Sequence, residues 1–216
     1  MMSKFCSADY AFTCEDRDSF TVDQTKIEWP FMSLNLRNFT RSIYLFDAVV
    51  HRVAPEDWDN QSPCEDWSAR EVFRHHCGVL AALTATLESG ETVPPKSFDS
   101  DTDPMSVWPS TRDAALQALD QPGILQREGK FWFGPMSVDQ WIGIVQWDPL
   151  THAWDIGKAT GLEPYIPDDL AAASHEVIAP MREMLAGWGV VGDEVEVSDS
   201  ATAAHRFLAL TGRDPS

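Results

Sequence analysis

From Leu34 onward the chain is written in helical steps, and that pattern limits the fold more than any other feature of its 216 residues. Leu34, Leu36, Phe39, Ile43, Leu45, Phe46, Val49, Val50 and Val53 largely keep three- and four-residue spacing up to Pro55, which predicts a first helix. Ser68 reads as the N-cap of a second helix, because Glu71 stands three residues later and completes a capping box. That helix is expected to run to about residue 90. Its apolar face takes Val72, His75 or His76, Val79, Leu83 and Leu87, so a histidine falls on the buried stripe. A third long helix is expected over 137–159, stopped by Gly161, with Trp141, Ile144, Val145, Asp148, His152 and Ile156 on one side. Shorter helices are expected over 110–119, 167–185 and 201–210. Residues 91–109, with four prolines, read as a loop, and 124–133 as a short extended segment. With so little strand signal the fold class is all-α: a helix bundle with additional short helices and room for a short hairpin. Metal sites in bundles are built from side chains of facing helices.

Residues 1–33 carry no sustained apolar period and read as an N-terminal extension, with 34–216 as the folded unit. A hydrophobic content of 44% is enough for an ordinary core. The 34 acidic residues outnumber the 16 basic ones and give a formal charge of −18, which repels phosphate backbones and anionic lipid surfaces. Neither nucleic acid nor a membrane is expected as partner; a small molecule is, with the chain a monomer or homodimer. No stretch approaches the roughly 20 apolar residues of a membrane span. Glu15, Asp16 and Asp18 stand where a signal peptide would be apolar, so the expected compartment is the cytoplasm. Cys6, Cys14, Cys64 and Cys77 form no C-x-x-C pair and are read as reduced thiols, with nothing to support a Cys6–Cys14 link. Nine tryptophans imply large buried side chains around a core or a pocket.

The chemistry-bearing pattern is His75 with Asp148 and His152. Asp148 and His152 are four residues apart, so on one helix they share a face with Cβ atoms about 5–6 Å apart, a span that one divalent cation bridges. His75 would join them from a second helix. Three such ligands leave a position for water or substrate, as catalytic zinc sites do; two histidines and a carboxylate equally describe an iron site. Pro149 bears on this directly, because the residue before a proline is pushed out of helical geometry. Asp148 is then either an N-cap, which would not bind metal, or the residue at a kink that keeps it facing His152. Only one of His75 and His76 can lie squarely with Val72 and Val79, and His75, four residues before Val79, is favoured. Asp155 is a candidate to orient an imidazole, or else an ordinary surface charge. Cys77 is assigned to packing.

At these residues the chain resembles the DinB/YfiT-like metal-binding four-helix bundles. Within them it is similar to the actinobacterial group typified by the N-terminal domain of mycothiol-dependent maleylpyruvate isomerase. The stretches that carry the likeness run from Ser62–Pro63–Cys64–Glu65–Asp66–Trp67 to His75, from Asp148–Pro149–Leu150–Thr151–His152 to Gly161, and from Phe207 to Thr211–Gly212–Arg213–Asp214–Pro215; with the order of helices it spans about 34–215. The resemblance places the family's metal ligands on His75, Asp148 and His152. It implies a divalent metal, zinc first, with nickel or iron as alternatives, that activates a low-molecular-weight thiol or a water. The leading expectation is therefore a metal-dependent enzyme using a thiol such as mycothiol in a transferase or isomerase reaction on a small organic molecule. Trp141, Trp147 and Trp154 are candidate pocket walls. A thiol-independent metal enzyme (hydrolase, cyclase or oxygenase) and a non-catalytic small-molecule-binding bundle are the alternatives. The chain lacks the second domain of the isomerase, so maleylpyruvate isomerisation itself is not expected.

Overall fold

The first two helices start at side-chain caps. The structure, a computed structural model, describes residues 32–96 and 103–216, so the readings of an N-terminal extension and of Cys6 and Cys14 fall outside the described residues, apart from 32 and 33. Helix α1, Leu34–Val50, starts where the Ser33 side chain accepts the Leu36 amide. It stops short of the expected Pro55, because the amides of Arg52 and Val53 turn back to the carbonyls of Val49 and Val50. Helix α2, Ala69–Ser89, has the expected capping box of Ser68 and Glu71 and ends on Gly90 in the left-handed region, a backbone conformation that costs glycine little.

The proline-rich segment 91–109 is not loop throughout: α3 spans Pro104–Leu119, with Pro104 in the first turn and Pro109 inside the helix. A proline at a helix start gives up an N–H that would be unpaired anyway. Pro109 is tolerated because neighbouring Trp108 is fully buried and donates its Nε1–H to Asp47 of α1 at 2.7 Å. The extended segment is a hairpin, β1 (Glu128–Phe131) antiparallel to β2 (Gly134–Ser137), with Glu128 opposite Ser137.

The long third helix is two. Helix α4, Val138–Val145, and helix α5, Trp147–Ala159, are separated at Gln146, since Pro149 has no N–H to return to the Val145 carbonyl. Beyond it lie α6 (Asp168–Ile178), α7 (Arg182–Gly187) and α8 (Ala203–Leu210). The helix expected from Pro167 to Leu185 is divided by a tight turn over Ala179–Met181, where Pro180 sits.

Helix α1 packs on α4 and α5, α2 on α3 and α5, and α6 on α8. One apolar cluster gathers Phe39, Ile43, Phe46, Phe73, Trp108 and Ile142; a second gathers Trp147, Trp154, Leu170 and Phe207. Helix α5 feeds both, Ala153 and Ile156 into the first, Trp147, Leu150 and Trp154 into the second. A helix covered on nearly every side must pair any charge it carries. Asp148, His152 and Asp155 are on this helix. The described part is mostly helical, with one small two-stranded sheet, and none of its helices is long and apolar enough to cross a membrane.

Candidate metal centre

The centre is built outward from Asp148, the second residue of α5. Gln146 keeps right-handed helical angles, φ −59° and ψ −23°, so the chain kinks through it, and the Asp148 carboxylate turns inward instead of capping a helix start. One oxygen, Oδ2, accepts from Nδ1 of His76 at 2.7 Å. The other, Oδ1, lies 3.5 Å from Nε2 of His152 and 3.8 Å from Nε2 of His75. A tetrahedral cation with bonds near 2.1 Å sets its ligands about 3.4 Å apart. His75, Asp148 and His152 offer three donor atoms within 4.8 Å of one another, and the donor set fits.

The buried stripe of α2 runs through Val72, His76, Leu80, Leu83 and Leu87, which corrects the preference for His75 on that stripe. His76 is fully buried, whereas the His75 side chain keeps 35% of its exposure at the edge of the stripe. That edge is where it meets His152, ring centroids 5.0 Å apart, and Trp67, 4.9 Å.

Behind His152 stands Asp155, completely buried, whose Oδ2 receives Nδ1–H of the imidazole at 3.0 Å. This contact holds one ring proton on Nδ1, so that when the ring gives up its second proton it is Nε2 that is left with the lone pair. Arg213 closes on Asp155 in a two-pronged pair, Nε to Oδ1 at 3.2 Å and Nη2 to Oδ2 at 3.0 Å, and donates Nη1–H to the Thr211 carbonyl at 2.8 Å. The Cys64 thiol donates to Asp155 Oδ2 at 3.1 Å and accepts from Arg213 Nη2 at 3.3 Å. Cys64, His152 and Asp155 also come within metal-binding reach of one another. Arg213, however, already occupies the carboxylate with a fixed positive charge, so Cys64, His152 and Asp155 form a hydrogen-bonded scaffold behind the candidate ligands His75, Asp148 and His152.

The electrostatics follow from this packing. Burial alone would raise the Asp148 carboxyl, but the charge of His152 and the hydrogen bonds of the imidazoles hold it well below the usual carboxylate range. Burial works against protonation of His152, yet the Asp148 charge wins and holds its pKa well above the ordinary imidazole value. For His76 burial dominates and lowers the pKa, so the ring is neutral. Asp155, desolvated but bonded to His152 and Arg213, is lowered to about 2. The Cys77 thiol is pushed up to about 12 by burial, which leaves it inert, in keeping with a packing role.

His75, Asp148 and His152 open on a cavity of about 610 Å³ whose lining includes Cys64, Trp67, Trp147, Gly192, Gly212 and Arg213. A second cavity of about 400 Å³, lined by Glu71, Arg74 and Lys96, shares Trp67 and His75 with the first. Of the three tryptophans named as pocket walls, Trp147 lines the larger cavity. Trp141 is instead stacked on Phe131 at 4.3 Å in the first core cluster, and Trp154 lies in the second with Lys158 over its ring. The sequence reading names His76 only as the rival of His75 and gives Trp67, Cys64 and Arg213 no part in the centre. Trp67, Cys64 and Arg213 stand in the motif stretches, but no helical spacing ties them to His152. The loop that presents Cys64 and Trp67 is held by Ser62, whose amide and hydroxyl both bond the Trp67 carbonyl, and it bends through Asp66 at φ 63°.

The family model described as the mycothiol maleylpyruvate isomerase N-terminal domain matches residues 39–157, more than half the chain, including the trio His75, Asp148 and His152. Two uncharacterized proteins of Mycobacterium tuberculosis, MT0763 of strain CDC 1551 and Rv0738 of strain H37Rv, are each 24% identical over 139 residues, covering 62% of this chain and 74% of theirs.

Proposed function

The chain belongs to the family of the mycothiol maleylpyruvate isomerase N-terminal domain, and on that footing we propose that it is a metal-dependent enzyme of the DinB-like four-helix type. It would use a small intracellular thiol, mycothiol first, in a transferase or isomerase reaction on a small organic molecule. His75, Asp148 and His152 hold the metal, zinc before nickel or iron. The observation that carries this reading is the approach of two imidazole Nε2 atoms to one carboxylate oxygen, at 3.5 and 3.8 Å, in the wall of a 610 Å³ cavity.

A divalent cation held there lowers the pKa of a thiol or a water and so supplies a nucleophile at neutral pH. The chain's own residues do the rest. Asp155 keeps the His152 proton on Nδ1, and Arg213 keeps Asp155 ionised and fixed. Trp67 and Trp147 give the cavity apolar faces, against which the carbon skeleton of a cosubstrate is sheltered from water. Gly192 and Gly212, also in the lining, let two backbone segments pass closely: a Cβ on Gly212 would stand 2.6 Å from Gly192 Cα.

The test is metal analysis of protein purified without a histidine tag, followed by reconstitution and calorimetric titration with mycothiol and simpler thiols. One ion per chain, with thiol heat seen only in the loaded protein and lost in His75→Ala and His152→Ala, is the expected result. Protein that retains no ion at any metal tried overturns the metal reading. Loaded protein that binds no thiol overturns the thiol and leaves a water-activating enzyme.

A further inference from the structure

His76 bonds directly to one of the proposed ligands, yet the metal reading gives it no part. Resting on that reading, we infer that His76 is a positioning residue: it donates Nδ1–H to Asp148 Oδ2, so that Asp148 ligates through Oδ1 alone and one coordination position stays open for the thiol.

Three observations converge on it. The carboxylate is divided, with Oδ2 on His76 at 2.7 Å while Oδ1 faces His152 and His75. An ionised carboxylate only accepts, so the imidazole must be the donor at this contact, and Nε2 is left with the lone pair. That Nε2 is buried and has no hydrogen-bond partner; it lies among rings, with Phe46 at 4.3 Å and Trp108 at 6.0 Å between centroids. A leucine would fill the same space without orphaning a nitrogen, which is the costlier arrangement. What histidine alone adds is the Nδ1–H. Without it Oδ2 is free to turn onto the cation beside Oδ1, and the carboxylate would take the position that the cosubstrate needs.

Cobalt is the probe, because its visible bands are intense in four-coordinate sites and weaken on expansion to five. The wild-type chain is loaded with Co²⁺ alongside three variants. His76→Leu removes the donor and keeps the bulk; His76→Asn places an amide N–H where Nδ1 stood; His76→Gln carries the same amide past that point. The expected result is a wild-type spectrum and a Co²⁺ Kd within a few-fold for His76→Asn. His76→Leu and His76→Gln should show weakened bands and a Kd raised about 10–100-fold, the range seen when a ligand loses its outer hydrogen bond. A wild-type spectrum in His76→Leu, or the same spectrum in the Asn and Gln variants, overturns the inference. If His76→Leu does not fold, the Asn and Gln pair decides by itself. Failure of the wild-type chain to bind Co²⁺ is a different result, since it removes the metal reading itself.

Discussion

For the metal proposed here, the proton on His152 is the first competitor. Without a cation, Asp148 holds that imidazole protonated well above its ordinary range, while Asp148 itself stays ionised. Metal binding must therefore expel about one proton, and affinity should climb as pH rises until the raised His152 pKa is passed. Calorimetry in buffers of different ionisation enthalpy measures that proton directly; a pH-independent affinity would contradict the pairing. The same shift has a stability sign. A raised histidine pKa contributes stability that is complete below the unfolded value and lost as pH rises through the folded one. Metal-free protein should lose thermal stability on the alkaline side, and loaded protein should lose less, because the cation replaces the proton as partner of Asp148. Arg213 is a separate residue-scale test. Its side chain is 11% exposed and its partner Asp155 is fully buried, so Arg213→Ala strands a charge and should cost about 3–5 kcal/mol in urea unfolding. These residues also mark how far the site was legible. Asp148 and His152 stood out because four-residue spacing on a helix is geometry written in sequence. His75 was placed at the site for the wrong reason, its neighbour being the buried one. Arg213, 58 positions from Asp155, had no periodicity to betray it, because only the tertiary fold brings the tail to α5.

At the scale of elements, the kink between α4 and α5 sets where Asp148 points. Pro149 is the third residue of α5, within the turn whose N–H groups have no intrahelical partner, so its missing donor costs little stability there. Pro149→Ala should leave the thermal midpoint nearly unchanged, within about 1 kcal/mol. It restores a donor for the Val145 carbonyl and favours one continuous helix, which rotates Asp148 away from His75 and His76. Metal affinity should fall while stability holds, and titration beside a thermal melt separates the two. The tail is positioned differently. After α8 the chain reverses at Gly212, φ 85°, against Gly192, and this carries Arg213 onto Asp155. Gly212→Ala meets both a disfavoured φ and a backbone collision, so it should destabilise by about 1–3 kcal/mol and loosen Arg213 with it, measured by urea unfolding. The helix boundaries set by local chemistry were readable: Ser68 with Glu71, and Gly90. The kink at Pro149 was one of two readings that local chemistry left open, and the fold takes it; the survival of α3 across Pro109 was not readable. It depends on packing, with Trp108 anchored to Asp47, and packing overrides a propensity of this size.

For the whole molecule the deciding quantity is charge. A net −18 with 34 acidic residues stores self-repulsion in the compact state and at the same time draws cations towards it. Salt acts on both, with opposite sign. Raising ionic strength shortens the Debye length from about 30 Å at 0.01 M to about 8 Å at 0.15 M, which relieves repulsion between surface carboxylates, so the metal-free chain should melt at higher temperature. The same screening removes the long-range pull on a divalent cation, so the apparent metal affinity should fall over that interval. The fall should come mainly through slower association, because the trio's short-range contacts are half-buried and little screened. Stopped-flow binding of Co²⁺ at two salt concentrations, beside melts of the metal-free chain, tests both halves. Affinity and stability that both stay unchanged with salt would mean that the surface charge acts on neither folding nor the centre, and that the acidic excess serves only solubility.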